Sequence, residues 1–178
     1  MNGGSLLAPE DAALLVDLYE LTMAQAYQRY GMESVATFDL FVRRLPRWRK
    51  FLMVAGAGTV VELLEKLRFS GDQLAYLEST GLLAREFLDS LERFRFTGDV
   101  DGLPEGTIAH PPEPIVRITA PLPEAQLVET LVMNQIHLQT MLASKAARVL
   151  LAARGRRVVD FGLRRMHGAD AGVAGARA

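Results

Sequence analysis

Residues 124–154 constrain this chain most. Their apolar side chains recur around most of a helical circumference, Pro123 suits a first-turn position, and Gly155 suits the stop. A helix apolar on so much of its surface has to be largely buried, so a core must be built around it. Asn134, Gln135 and Gln139 on that helix then need hydrogen-bond partners. His137 reads as a hydrogen-bonded core or interface residue rather than a catalyst.

The residues before this helix alternate between helical and extended patterns. Leu14, Leu15, Leu18, Leu21, Thr22 and Ala26 recur at helical spacing, which predicts a helix over residues 11–30 with Gly31 as its stop. Residues 35–43 partly alternate, as a strand does. Pro46 and the run Arg47-Trp48-Arg49-Lys50 predict a solvated loop. Residues 51–55 form a short apolar strand, and Gly56-Ala57-Gly58 turns into a helix over residues 59–67. A glycine turn before a helix suits phosphate, but this one lacks the third glycine of a dinucleotide fingerprint and has no Gly-Lys-Ser/Thr. It reads as a tight turn. Short helices are expected near residues 72–79 and 84–94. The short runs 94–97, 100–101, 107–110 and 115–120, separated by glycine and proline turns, suggest a compact antiparallel module. His110 sits among these turns with no metal partners at ligand spacing.

Composition narrows the function classes. The chain has 178 residues, 49% of them hydrophobic, and no cysteine. A substantial core is available, whereas disulfides, thiolate zinc sites and a cysteine nucleophile are excluded. Residues 1–9 lack a basic segment followed by a long apolar run, so no signal peptide is read there. The apolar window 127–142 is broken by Glu129, Asn134, Gln135, His137 and Gln139, and no membrane span is expected. A soluble cytoplasmic protein is the expectation. The net charge is −1, yet residues 143–178 carry eight basic side chains against Asp160 and Asp170. Such a basic segment suits an anionic partner. A nucleic-acid partner rests on that segment and the 47–50 loop alone, and none is expected.

The stretch Val158-Val159-Asp160-Phe161-Gly162-Leu163-Arg164-Arg165 gathers the chemistry. It reads as a short buried strand over residues 158–162 that ends in two guanidiniums. In α/β folds, ligands bind beyond the carboxyl ends of parallel strands. An aromatic ring, a slim glycine and two arginines there suit a flat anion or a phosphate. A core strand followed by a solvated basic turn fits the same residues. Residues 168–178 look like the beginning of a helix that ends before its core partners arrive.

Five segments in order carry a resemblance. They are Leu14-Leu15-Val16-Asp17-Leu18-Tyr19-Glu20-Leu21-Thr22-Met23-Ala24, Leu103-Pro104-Glu105-Gly106-Thr107, Glu129-Thr130-Leu131 with Asn134-Gln135-Ile136, Lys145-Ala146-Ala147-Arg148, and Asp160-Phe161-Gly162-Leu163-Arg164-Arg165. Together the chain resembles the nicotinate phosphoribosyltransferase family in its bacterial branch. That resemblance implies an α+β N-terminal hammerhead-like domain, residues 1–122, and then a long helix with the first strand and helices of an incomplete α/β (TIM-like) barrel, residues 123–178. It implies transfer of a phosphoribosyl group from 5-phosphoribosyl 1-pyrophosphate to nicotinate, giving nicotinate mononucleotide and pyrophosphate for NAD salvage. ATP and Mg²⁺ serve the family, and none of the residues singled out here binds them directly. Family members are homodimers. The resemblance implies that Phe161 stacks on the pyridine ring, that Tyr19 covers the other face from the partner subunit, and that Arg164 holds phosphate or the nicotinate carboxylate. Arg165 and Asp17 stand nearby in support.

The family's phosphohistidine and most of its barrel strands have no counterpart here, and His110 and His167 do not take that role. The expectation is a truncated gene product, a fragment or one part of a split protein, inactive alone. A non-catalytic docking partner of a full-length subunit is the alternative.

Overall fold

The computed structural model describes residues 11–178, so the reading of residues 1–9 lies outside the described residues. Seven α-helices and five strands follow in the order α1 (Leu18–Arg29), β1 (Val35–Phe41), β2 (Leu52–Met53), α2 (Ala57–Lys66), α3 (Gly71–Ser79), α4 (Arg85–Glu92), β3 (Asp99–Gly102), β4 (Ile108–Ala109), β5 (Pro114–Pro121), α5 (Leu122–Leu127), α6 (Glu129–Ala153) and α7 (Ala169–Arg177). The strands form an antiparallel sheet in the order β1-β5-β3 and a two-stranded β2-β4 ribbon. The expected antiparallel module therefore exists, but β1 and β2 from earlier in the chain complete it.

Strand β5 shows why the sheet is one-sided. Val116, Ile118 and Ala120 are buried, while Arg117 between them is exposed. On the outer face Arg117 donates to both carboxylate oxygens of Asp39 directly across the ladder, at 2.7 and 3.0 Å. Thr37 and Thr119 pair beside them at 3.1 Å. The inner face meets α5.

The long helix is interrupted once. Val128, fully buried, separates α5 from α6, so the segment forms two helices rather than one. On α6 the residues Leu131, Val132, Gln135, Ile136, Gln139, Thr140, Ala143 and Ser144 are buried, a stripe at helical spacing. That stripe packs on β2 and α2. Gly56 makes the approach possible: its φ is +106°, and a Cβ there would lie 2.8 Å from the Gln135 carbonyl oxygen. Beyond Ser144 the helix emerges, and Val149, Leu150 and Leu151 are exposed. The expectation of a largely buried segment is thus corrected to burial of its first half.

Two further expectations are corrected. The first helix does not run from residue 11. A 3-10 turn at Ala12–Leu14 precedes it, and α1 starts at Leu18 with Asp17 as its N-cap. Residues 158–162 are not a buried strand either. They are irregular, with Val158, Val159 and Phe161 exposed. The backbone N–H of Gly162 donates to Asp160 Oδ1 at 2.7 Å, a local turn that competes with strand pairing. Leu163–Arg165 continue it as a 3-10 turn. No described strand lies alongside to supply ladder hydrogen bonds.

The tail does form a helix, and α6 is its partner. Ala171 and Ala174 of α7 are buried, and Arg177 reaches back to the core. Arg177 donates to Gln139 at 2.9 Å and to Glu105 at 2.6 Å, while Gln139 donates to Thr59 at 3.2 Å. Glu105 Oε1 also accepts the N–H groups of Gly56, at 2.7 Å, and Gly58, at 3.3 Å. The glycine turn considered as a phosphate cradle is therefore filled by a carboxylate of the chain itself.

Candidate functional site

A cleft of about 700 Å³ opens where the start of α1 meets the middle of α6 and the start of α7. Asp17, Tyr19, Asn134, His137, His167 and Asp170 line it. His137 is exposed here and not in the core, because it lies off the buried stripe of α6. Asn134 faces the same cleft and accepts from Gln135 at 3.1 Å. Among the described residues no group of three or more His, Asp or Glu gathers as a metal site.

Of the five expected site residues, the cleft takes two. Asp17 and Tyr19 are brought together at the first turn of α1, both exposed. Phe161, Arg164 and Arg165 are exposed on the segment after α6 and do not line it. Phe161 keeps 68% of its surface exposed. Neither arginine makes an ion pair with a described residue, so both guanidiniums are available to an anion.

Below Tyr19 lies a group that the motif contained but to which no role was assigned. Glu20 is wholly buried, and its Oε1 accepts from the Thr130 N–H at 3.0 Å and the Thr130 hydroxyl at 2.6 Å. The Thr130 hydroxyl also stands 3.2 Å from Asp17 Oδ2. These contacts bind the start of α1 to the start of α6, where the interruption at Val128 leaves new helix N–H groups to satisfy. Burial pushes the Glu20 carboxyl up; the Thr130 hydrogen bonds pull it back, and the Glu129 charge adds to the rise. Partial burial, then the Glu129 carboxylate and Glu20 beside it, hold the Tyr19 phenol far above the usual tyrosine range. Tyr19 is therefore a neutral ring with a hydroxyl directed toward acidic neighbours. The cue for this group was Glu20 at the third helical position, a common capping place, but its partner lies 110 residues away.

Residues 14–137 match the family model described as the nicotinate phosphoribosyltransferase (NAPRTase) N-terminal domain. The chain belongs to the nicotinate phosphoribosyltransferase family. A nicotinate phosphoribosyltransferase of Mycobacterium tuberculosis is 57% identical over 165 residues, covering 93% of this chain and 36% of that protein. One from Bacillus subtilis is 39% identical over 170 residues, covering 95% and 35%. The crystal structure of human nicotinic acid phosphoribosyltransferase superimposes with a TM-score of 0.80 at 32% identity, covering 89% of this chain and 33% of that one. The chain thus spans about a third of the length of the curated relatives it matches. Its mixed α/β architecture matches the corresponding part of the human enzyme. No described helix is long and apolar enough to cross a membrane.

Proposed function

We propose that this chain supplies the N-terminal part of a nicotinate phosphoribosyltransferase, which joins nicotinate to 5-phosphoribosyl 1-pyrophosphate and releases pyrophosphate. In this reading residues 1–122 form the hammerhead-like domain, and residues 123–178 open the α/β barrel. The observation that carries it is the separation of the expected site residues. Asp17 and Tyr19 face one cleft, and Phe161, Arg164 and Arg165 stand exposed outside it. That separation supports a site built between two subunits, with Tyr19 from one and Phe161 from the other enclosing the pyridine ring.

The chemistry follows from the residue types. Arg164 offers paired donors to a carboxylate or phosphate, and Arg165 adds positive charge beside it. Asp17, which lines the cleft beside Tyr19, supports the hold on the anion. Departure of pyrophosphate needs positive charge, which Mg²⁺ supplies in such reactions. In this reading ATP coupling and the remaining substrate contacts belong to the rest of the barrel. Complete turnover in this reading requires the rest of the barrel.

The test is calorimetry with nicotinate on the 178-residue protein, its Phe161→Ala variant and its Arg164→Ala variant, beside an assay for nicotinate mononucleotide. The expected result is weak binding that both substitutions abolish, and no turnover. Turnover at the rate of a full-length relative would overturn the claim of incompleteness. Binding untouched by both substitutions would overturn the site.

A further inference from the structure

We propose that Glu20 is a positioning residue for Asp17 and Tyr19, and that it works as the neutral acid, with its proton on Oε2. The inference rests on reading Asp17 and Tyr19 as ligand-facing. Glu20 stands behind both, fully buried, on the first turn of α1. Its two oxygens are in different situations. Oε1 takes both hydrogen bonds from Thr130, whereas Oε2 is buried with no hydrogen-bond partner.

An ionised carboxylate would leave negative charge on an oxygen that accepts no hydrogen bond, and a buried charge without a partner is strongly disfavoured. The surroundings add to this. From α1 the titratable groups facing Glu20 are Asp17 and Tyr19, and from α6 the facing group is Glu129. None is a cation, and Glu20 has no ion-pair partner among the described residues. The Thr130 hydrogen bonds and the positive start of α6 favour the charged form, but they reach one oxygen only. Protonation removes the unpaired charge from Oε2 while Oε1 goes on accepting.

The consequence is a pH-dependent hold on the ring. In the neutral form, Glu20 fixes Thr130 and draws the first turn of α1 against α6, which orients Tyr19 over the cleft. Ionisation places a second negative charge beside Glu129, next to the Tyr19 hydroxyl, and loosens that turn. Because the folded-state carboxyl is raised above the ordinary 4.5, the folded chain holds more protons than the unfolded one as pH climbs past that value. The Glu20 contribution to stability is therefore full at low pH and falls as pH rises through its folded midpoint.

NMR of the 178-residue protein with isotope-labelled glutamate and tyrosine tests this without any ligand. One glutamate carboxyl should titrate at clearly higher pH than the ordinary 4.5 and be missing in Glu20→Gln. The Tyr19 ring signal, identified by its loss in Tyr19→Phe, should shift with that same midpoint. In Glu20→Gln, which keeps the neutral shape, the Tyr19 signal should stay at its low-pH position throughout. In Glu20→Ala it should move to the position of an unstructured tyrosine while circular dichroism keeps the parent helix content. The proposal is overturned if all glutamates titrate together at or below the ordinary value, or if Glu20→Gln displaces Tyr19 as Glu20→Ala does. Should Glu20→Ala fail to fold, the parent and Glu20→Gln titrations decide alone. A nicotinate titration reports separately on Tyr19 as a ligand contact, and failure to bind leaves these measurements intact.

Discussion

The two parts of α6 meet different fates: the stretch after Ser144 is richer in apolar side chains than the stretch before it, yet is the more exposed. From Leu131 to Ser144 every buried polar side chain that faces the core meets a partner: Thr140 bonds both the N–H and the carbonyl of Ala55, and Ser144 accepts from Met53. Seven residues past Ser144, Leu151 is 70% exposed, and after the helix Val158, Val159, Phe161 and Leu163 continue the exposed apolar run. Burial is therefore set by what lies opposite a residue and not by its own hydropathy. The first half has β2 and α2 against it, whereas in the second Arg148 reaches Phe51 and the leucines stay exposed. Exposed apolar side chains in such number are where proteins associate.

The largest test of that contrast lies in the first half. Leu131→Ala, at a side chain 1% exposed, should lower stability by about 2–5 kcal/mol in urea unfolding. Gly56→Ala comes next. Positive φ alone costs about 1–3 kcal/mol, and the added Cβ would also press on the Gln135 carbonyl, forcing α6 away from the turn. The loss should appear as a lower thermal midpoint. Glu105→Gln should cost less, about 1 kcal/mol, because the Glu105–Arg177 pair is partly exposed. Burial pulls the Glu105 carboxyl up, but the Arg177 hydrogen bond and the Gly56 and Gly58 amides pull it further down, to a net value below 4.5. Its contribution is therefore complete above pH 4.5 and disappears as pH falls through the lowered midpoint, so parent and variant should converge in acid unfolding. The smallest stability effect belongs to the second half. Leu151→Gln should change unfolding by less than about 0.5 kcal/mol, yet reduce self-association in light scattering. A loss as large as that of Leu131→Ala would erase the distinction between the halves.

Much of the local structure was legible in the residues. The helices near residues 72–79 and 84–94 and the strand at 115–120 follow from period and turn chemistry, and Ser70 and Gln73 form a reciprocal cap that any reader of helix starts would accept. The failures are specific. The interruption at Val128 carries no glycine or proline. Val158-Val159 has strand propensity, but propensity forms no ladder without a neighbour, and Asp160 turns the backbone instead. Tyr19 and Asp17 are singled out by resemblance in separate roles, whereas the cleft they share with His137 and His167 depends on three helices meeting.

The sequence by itself determined the family and most of the helices and strands up to the start of α5. These are local or motif properties, carried by neighbours in the chain. Tertiary structure decided that Glu105 fills the glycine turn, that α7 closes on α6 through Arg177, and that Glu20 is sealed beneath Tyr19. Each of these joins groups 38 to 110 residues apart. Burial removes water as an alternative partner, and the value of a carboxylate or an amide then depends on the donor or acceptor that the fold brings to it.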